Sequence, residues 1–160
     1  MARDTRLDRR TFVKTAATAT ALTGIAGCLG GGGGDNDDEN GDDGGDTEFD
    51  GWFDNVGNFD GVADHTGESE VTVTVGAQGN GGAFAFDPPA IRVDAGTTVV
   101  WEWTGSGGSH NVVAEDGSFE SDLVGSEGHT FDHTFDATGT TKYVCTPHEQ
   151  QGMRGAVVVE

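Results

Sequence analysis

Cys145, His148 and Met153 stand close together in the run Cys-Thr-Pro-His-Glu-Gln-Gln-Gly-Met, whereas His110 lies far upstream. The spacing C-x2-H-x4-M places a thiol, an imidazole and a thioether on a single loop. A second imidazole has to come from elsewhere in the fold. Whatever this chain forms must therefore carry His110 back against its own C-terminal segment.

Strand signals supply the means. Val71, Val73 and Val75 alternate with Thr72 and Thr74, and Val99, Trp101 and Trp103 share a face opposite Glu102. Ile91 and Val93 straddle Arg92, Phe131, His133 and Phe135 alternate with polar residues, and Tyr143–Cys145 and Ala156–Val159 supply two more apolar runs. This period of two, broken by Gly- and Asp-rich turns, predicts strands throughout. No segment carries a sustained helical period. Aromatic residues resume at Phe49, so a folded all-β domain is expected over 49–160, a size suited to a β-sandwich.

The donor set has a chemical preference. Soft sulfur suits Cu(I), imidazole nitrogen suits Cu(II), and two imidazoles with a thiolate and a weak axial thioether serve both. His110, Cys145, His148 and Met153 are therefore the expected ligands of one type 1 copper. Structural zinc on Cys145, His110 and His148 is the main rival, but zinc sites rarely recruit a thioether. His148-Glu149 begins like a zinc-protease helix, yet Gly152 stands where the second histidine would be needed. A Cys–His nucleophile would leave Met153 without a purpose. The remaining histidines receive plainer expectations: His65 in an exposed loop, His129 and His133 at alternate positions of a strand, in packing or surface roles. His110, after the Gly105–Ser109 run, is expected at a loop-to-strand junction without deep burial.

Charge narrows the function further. The chain has 8 basic and 28 acidic residues, a formal net charge of −20. Beyond Cys28 only Arg92, Lys142 and Arg154 are basic, whereas only Asp4 and Asp8 of the acids precede it. Such a surface repels nucleic acid. It also repels itself unless salt screens it, which points to a halophilic setting.

Arg9-Arg10-Thr11-Phe12-Val13-Lys14 reads as a twin-arginine export signal, and Ile25-Ala26-Gly27-Cys28 resembles a lipobox. Residues 1–28 are thus expected to be a signal ending at a lipidated Cys28. Residues 29–48, rich in Gly, Asp, Asn and Glu, are expected to be a disordered tether with a reach of about 25 Å. The acidic cluster Asp35–Glu39 lacks the glycine and flanking helices of a calcium loop, and reads as solvated linker. With one cysteine assigned to an anchor and the other to a metal, no disulfide is expected.

With these residues placed, the stretch from Val71 to Val159 resembles the halocyanins, haloarchaeal relatives of plastocyanin within the cupredoxins. Ser109-His110-Asn111-Val112-Val113 is similar to the segment carrying the first ligand. Tyr143-Val144-Cys145-Thr146-Pro147-His148 with Gly152-Met153 is similar to the loop carrying the others, and Gly76–Pro88 to the first copper-side loop and its strand. The resemblance implies an eight-stranded Greek-key β-sandwich of the plastocyanin-like type with copper near one end. It also implies that Asn111 braces the two ligand loops. Pro147, which has no N–H, cannot donate a hydrogen bond to the Cys145 sulfur. Plant plastocyanins carry a tyrosine just before the cysteine ligand; Val144 stands there, which leaves the edge of His148 as the expected electron path.

The expectation is a monomeric one-electron carrier, not an enzyme. It would be lipid-anchored on the outer face of the cytoplasmic membrane and exchange electrons with membrane respiratory donors and acceptors. The alternative is copper storage or delivery to a membrane oxidase. A copper enzyme would need further ligands that the spare histidines do not offer.

Overall fold

The structure is a computed structural model that describes residues 49–160. The expected export signal (Arg9, Arg10), lipidation site (Cys28) and tether lie outside the described residues.

Nine strands form among the described residues: β1 (Ala63–Asp64), β2 (Glu70–Gly79), β3 (Gly82–Asp87), β4 (Ala90–Val93), β5 (Thr97–Trp103), β6 (Val113–Ala114), β7 (Thr130–Phe135), β8 (Gly139–Val144) and β9 (Arg154–Val159). They build two sheets, one ordered β1-β4-β9-β8-β6 and the other β3-β2-β5-β7. The chain is thus mostly β and a two-sheet sandwich. Neighbours in a sheet are often distant in sequence: β2 runs parallel to β5, and β4 runs parallel to β9. The two-residue β1, which pairs with the outer edge of β4, adds a strand to the eight that the resemblance implies.

Alternation decides which side chains meet between the sheets. Val71, Val73 and Val75 of β2 and Val99, Trp101 and Trp103 of β5 all point inward and are buried. From the opposing sheet come Ile91, Val93, Tyr143, Val157 and Val159. Trp101 sits at the centre, its ring 5.2 Å from Phe119, 5.3 Å from Tyr143 and 5.8 Å from Phe131. Tyr143 lies across from Gly155 on β9, and a side chain there would run into the tyrosine ring.

Strand β9 does not alternate: Gly155 to Val159 are all buried. The reason is a second apolar cluster on the outer side of its sheet, where Ala90, Val144, Ala156 and Val158 pack under Phe49, Trp52, Phe53 and Val56. Residues 49–62 thus form a strap across that face. Phe53 and Phe59 stack at 4.0 Å, and the Trp52 indole N–H donates to the Gly155 carbonyl at 3.1 Å. Lys142 and Arg154 lie against the Trp52 ring at 5.3 and 4.9 Å. Burying a large apolar side chain is worth about 1.5–3 kcal/mol, so the strap is an integral part of the fold.

Candidate metal centre

Strand β8 ends at Val144, and Cys145 begins the loop. A six-residue 3-10 helix, Thr146–Gln151, follows, with Pro147 in its first turn. This short helix has no counterpart in the strand-only expectation. It suits proline at its start, where an amide hydrogen would have no partner inside the helix. Gly152, with φ of 95°, ends it in the left-handed region and turns the chain into Met153 and β9.

The loop is closed by its own backbone. The Cys145 N–H donates to the Met153 carbonyl at 3.0 Å, and the Met153 N–H donates to the His148 carbonyl at 3.2 Å. Cys145 and Met153 are both fully buried. His148 is half-buried, with its ring 4.7 Å from that of Phe84 on β3.

His110 comes from the loop between β5 and β6. Its backbone pairs with Val124 in both directions, at 2.8 and 2.9 Å, and its carbonyl also accepts the Trp103 indole N–H at 3.1 Å. The ring is wholly buried, not presented at the surface as expected from the glycine-rich approach. Two glycines explain this. A Cβ on Gly76 would come within 3.2 Å of the His110 Nε2 atom, and one on Gly107 within 3.0 Å, so bare backbone closes around the imidazole. Both glycines have positive φ, 84° and 78°, a conformation other residues rarely adopt.

His110 Nε2 lies 2.7 Å from the Ser106 carbonyl, which can only accept, so Nε2 carries the hydrogen. In the neutral ring Nδ1 is then a bare lone pair. It faces His148 Nδ1 at 3.1 Å and the Cys145 Sγ at 3.6 Å, while His148 Nδ1 is 3.4 Å from the same sulfur. The three residues form the one cluster of metal-binding type among the described residues.

Burial pushes the Cys145 thiol above its usual range, while backbone N–H groups of Asn111 and His148 pull it partly back. His148 is lowered, first by burial and then by the neighbouring His110. Two imidazole nitrogens and a sulfur converging this closely suit a shared cation.

The separations test the fit. Metal–nitrogen and metal–sulfur bonds of about 2.0 and 2.3 Å, at angles of about 100°, require N···N near 3.1 Å and N···S near 3.3 Å. The triangle of 3.1, 3.4 and 3.6 Å suits one ion bound by all three residues. One thiolate and two imidazoles, with a buried thioether on the same loop, is a copper donor set.

Asn111 spans the two loops: Thr146 N–H donates to its Oδ1 at 2.8 Å, and its Nδ2 donates to Thr146 Oγ1 at 3.3 Å. Pro147 is exposed beside the cluster. The other histidines stand apart. His65 pairs with Glu68 at 3.0 Å, the His129 ring packs on Trp103, and the His133 ring packs on Phe119 and Phe135. His129 precedes β7 rather than lying in it. Sequence reasoning missed the Ser106 carbonyl, a backbone atom with no side-chain signal, and the Phe84 ring against His148.

Residues 71–160 match the family of copper-binding proteins described as plastocyanin/azurin. The chain is 62% identical to a halocyanin of Natronomonas pharaonis over 106 residues, which is 64% of this chain and 64% of that protein. It is 33% identical to a plastocyanin of Scenedesmus fuscus, over 57% of this chain and all of that protein. Among solved structures, a mutant fern plastocyanin is similar with a TM-score of 0.49 and 26% identity, covering 56% of this chain and 100% of the other.

Proposed function

Since the chain belongs to the plastocyanin/azurin family of copper-binding proteins, we propose that it is a type 1 copper protein that carries single electrons and transforms no substrate. The observation that carries this reading is the His110–His148–Cys145 triangle of 3.1, 3.4 and 3.6 Å.

Copper, when bound, supplies a one-electron couple between its two common oxidation states. The residues supply the rest. Cys145 contributes a soft anionic donor, and burial keeps water from it. Ser106 holds the His110 ring with its free nitrogen turned inward, and Asn111 ties that segment to the loop bearing Cys145. Met153 provides a neutral sulfur on the same loop. A donor set fixed by the scaffold changes little between oxidation states, which is what rapid exchange requires. Of the two imidazoles only His148 reaches the surface, so electrons enter and leave at its edge, beside Phe84, Pro147 and Gln151.

We place the domain outside the cytoplasmic membrane, held by lipid on Cys28 after export directed by Arg9 and Arg10, as a monomer exchanging electrons with membrane respiratory proteins. The support is the sequence order of signal, lipobox and acidic linker. Mass spectrometry of the membrane-extracted protein tests it: a lipid-modified Cys28 at the N-terminus is expected, and an unmodified soluble chain would remove the anchor.

Adding Cu(II) to the metal-free chain and recording its visible spectrum tests the centre itself. An intense charge-transfer band that is lost in Cys145→Ser is expected; a colourless adduct would defeat the reading. Reversible voltammetry of the loaded protein separates a carrier from a storage or delivery protein.

A further inference from the structure

Internal hydrogen bonds give the ligand loop its shape but not its place in the fold. At the cysteine end its place comes from the Asn111–Thr146 pair. At the methionine end it comes from a second asparagine that sequence reasoning did not single out.

Asn80 sits at the tip of the β2–β3 hairpin with φ of 57°, in the left-handed region that asparagine tolerates better than most residues. Its amide makes three hydrogen bonds. Oδ1 accepts the Gly57 N–H of the strap at 2.7 Å, and Nδ2 donates to the Phe84 carbonyl at 2.7 Å and to the Gly152 carbonyl at 2.9 Å. The Gly152 carbonyl belongs to the peptide that carries the Met153 nitrogen. Gly152 is also pressed by the strap, where a Cβ would collide with the Asn55 carbonyl.

An axial thioether bond to copper is long and weak. It cannot by itself pull a loop into position, so the scaffold must decide where the sulfur stands. We propose that Asn80 is a positioning residue for Met153: it pins the Gly152–Met153 peptide between hairpin and strap, and thereby sets the distance from the thioether to the metal. The proposal rests on the copper reading above.

The test is a double-mutant cycle on the full copper-loaded chain, read by its reduction potential. Asn80→Gly removes the amide and keeps the positive φ. It is expected to raise the potential, in the direction of Met153→Leu and by less, because a loosened thioether stabilises Cu(II) less. In the Met153→Leu background the same substitution is expected to have no effect. Asn80→Asp provides a second cycle if the glycine variant does not fold. It keeps the acceptor for Gly57 and loses the donor to Gly152, and its added charge acts equally in both backgrounds and cancels. Amide hydrogen exchange of Gly57, readable without metal, should quicken in Asn80→Gly and stay slow in Asn80→Asp. A chain that never turns blue overturns the copper reading and this proposal with it. A blue chain whose potential ignores Asn80, or shifts equally with the Met153 thioether present and removed, overturns this proposal alone.

Discussion

Asn111 and Thr146 exchange two hydrogen bonds across a separation of 35 residues, one from the Thr146 backbone N–H and one to its hydroxyl. They join the segment bearing His110 to the loop bearing Cys145 and His148, so neither ligand group can drift without breaking them. Asn111→Ala is expected to lower the stability of the metal-free protein by about 1–2 kcal/mol and to speed copper loss to a chelator. Denaturant melts and chelator-exchange rates check this; unchanged release would mean the brace does not act on the site.

Copper uptake should release a proton. Cys145 is raised by burial, so near neutral pH its thiol is protonated until a metal replaces the hydrogen. His148 is lowered, so it is already neutral there and gives up none. Apparent affinity should therefore climb as pH rises towards the thiol's raised range. Titration in weakly buffered solution should find the thiol proton released as metal binds; uptake without acidification would mean the sulfur is not a ligand.

Gly155→Ala should cost about 1–3 kcal/mol through overpacking, because the new methyl group would meet the Tyr143 ring and hydroxyl. Thermal melts measure it. A neutral result would mean that Tyr143 can leave the face of β9 freely.

Lowering the salt should lower the melting temperature. With three cations among the described residues, carboxylates dominate the surface, and their repulsion grows as the screening length increases. A melting point flat across a salt series would contradict this.

Gln151 is exposed beside His148. Gln151→Asp should slow electron exchange with an anionic reagent such as hexacyanoferrate by a few-fold at moderate salt and leave the visible spectrum unchanged. Gly107→Asp should disturb both, because its Cβ would press on the Ala83 carbonyl and the His110 ring. Equal rates in Gln151→Asp and unaltered protein would place the exit elsewhere.

The strands of the sandwich were legible because one face of each meets the core: Val71–Val75, Val99–Trp103 and Phe131–Phe135 carry their alternation openly. Ala156–Val159 could be read as strand, but not as one covered on both faces, because the covering residues come from a lead-in with no regular period. The four sulfur and imidazole residues announced themselves by donor type and spacing. Asn80 did not, since an asparagine in a glycine-rich turn looks like any turn residue until the fold brings Gly57 and Gly152 to it. The burial of His110 was hidden for a similar reason: Gly76 and Gly107 enclose its ring by what they lack.

The strap also moves the boundary of the smallest unit that can live alone in water. The match to the copper-binding family begins at residue 71, but a polypeptide started there would leave Ala90, Val144, Ala156 and Val158 without their lid. An uncovered apolar sheet face of that kind invites self-association. Residues 49–62 are therefore expected to guard against aggregation, and a shortened version that precipitates would be reporting the loss of that cover rather than a fault in its ligands.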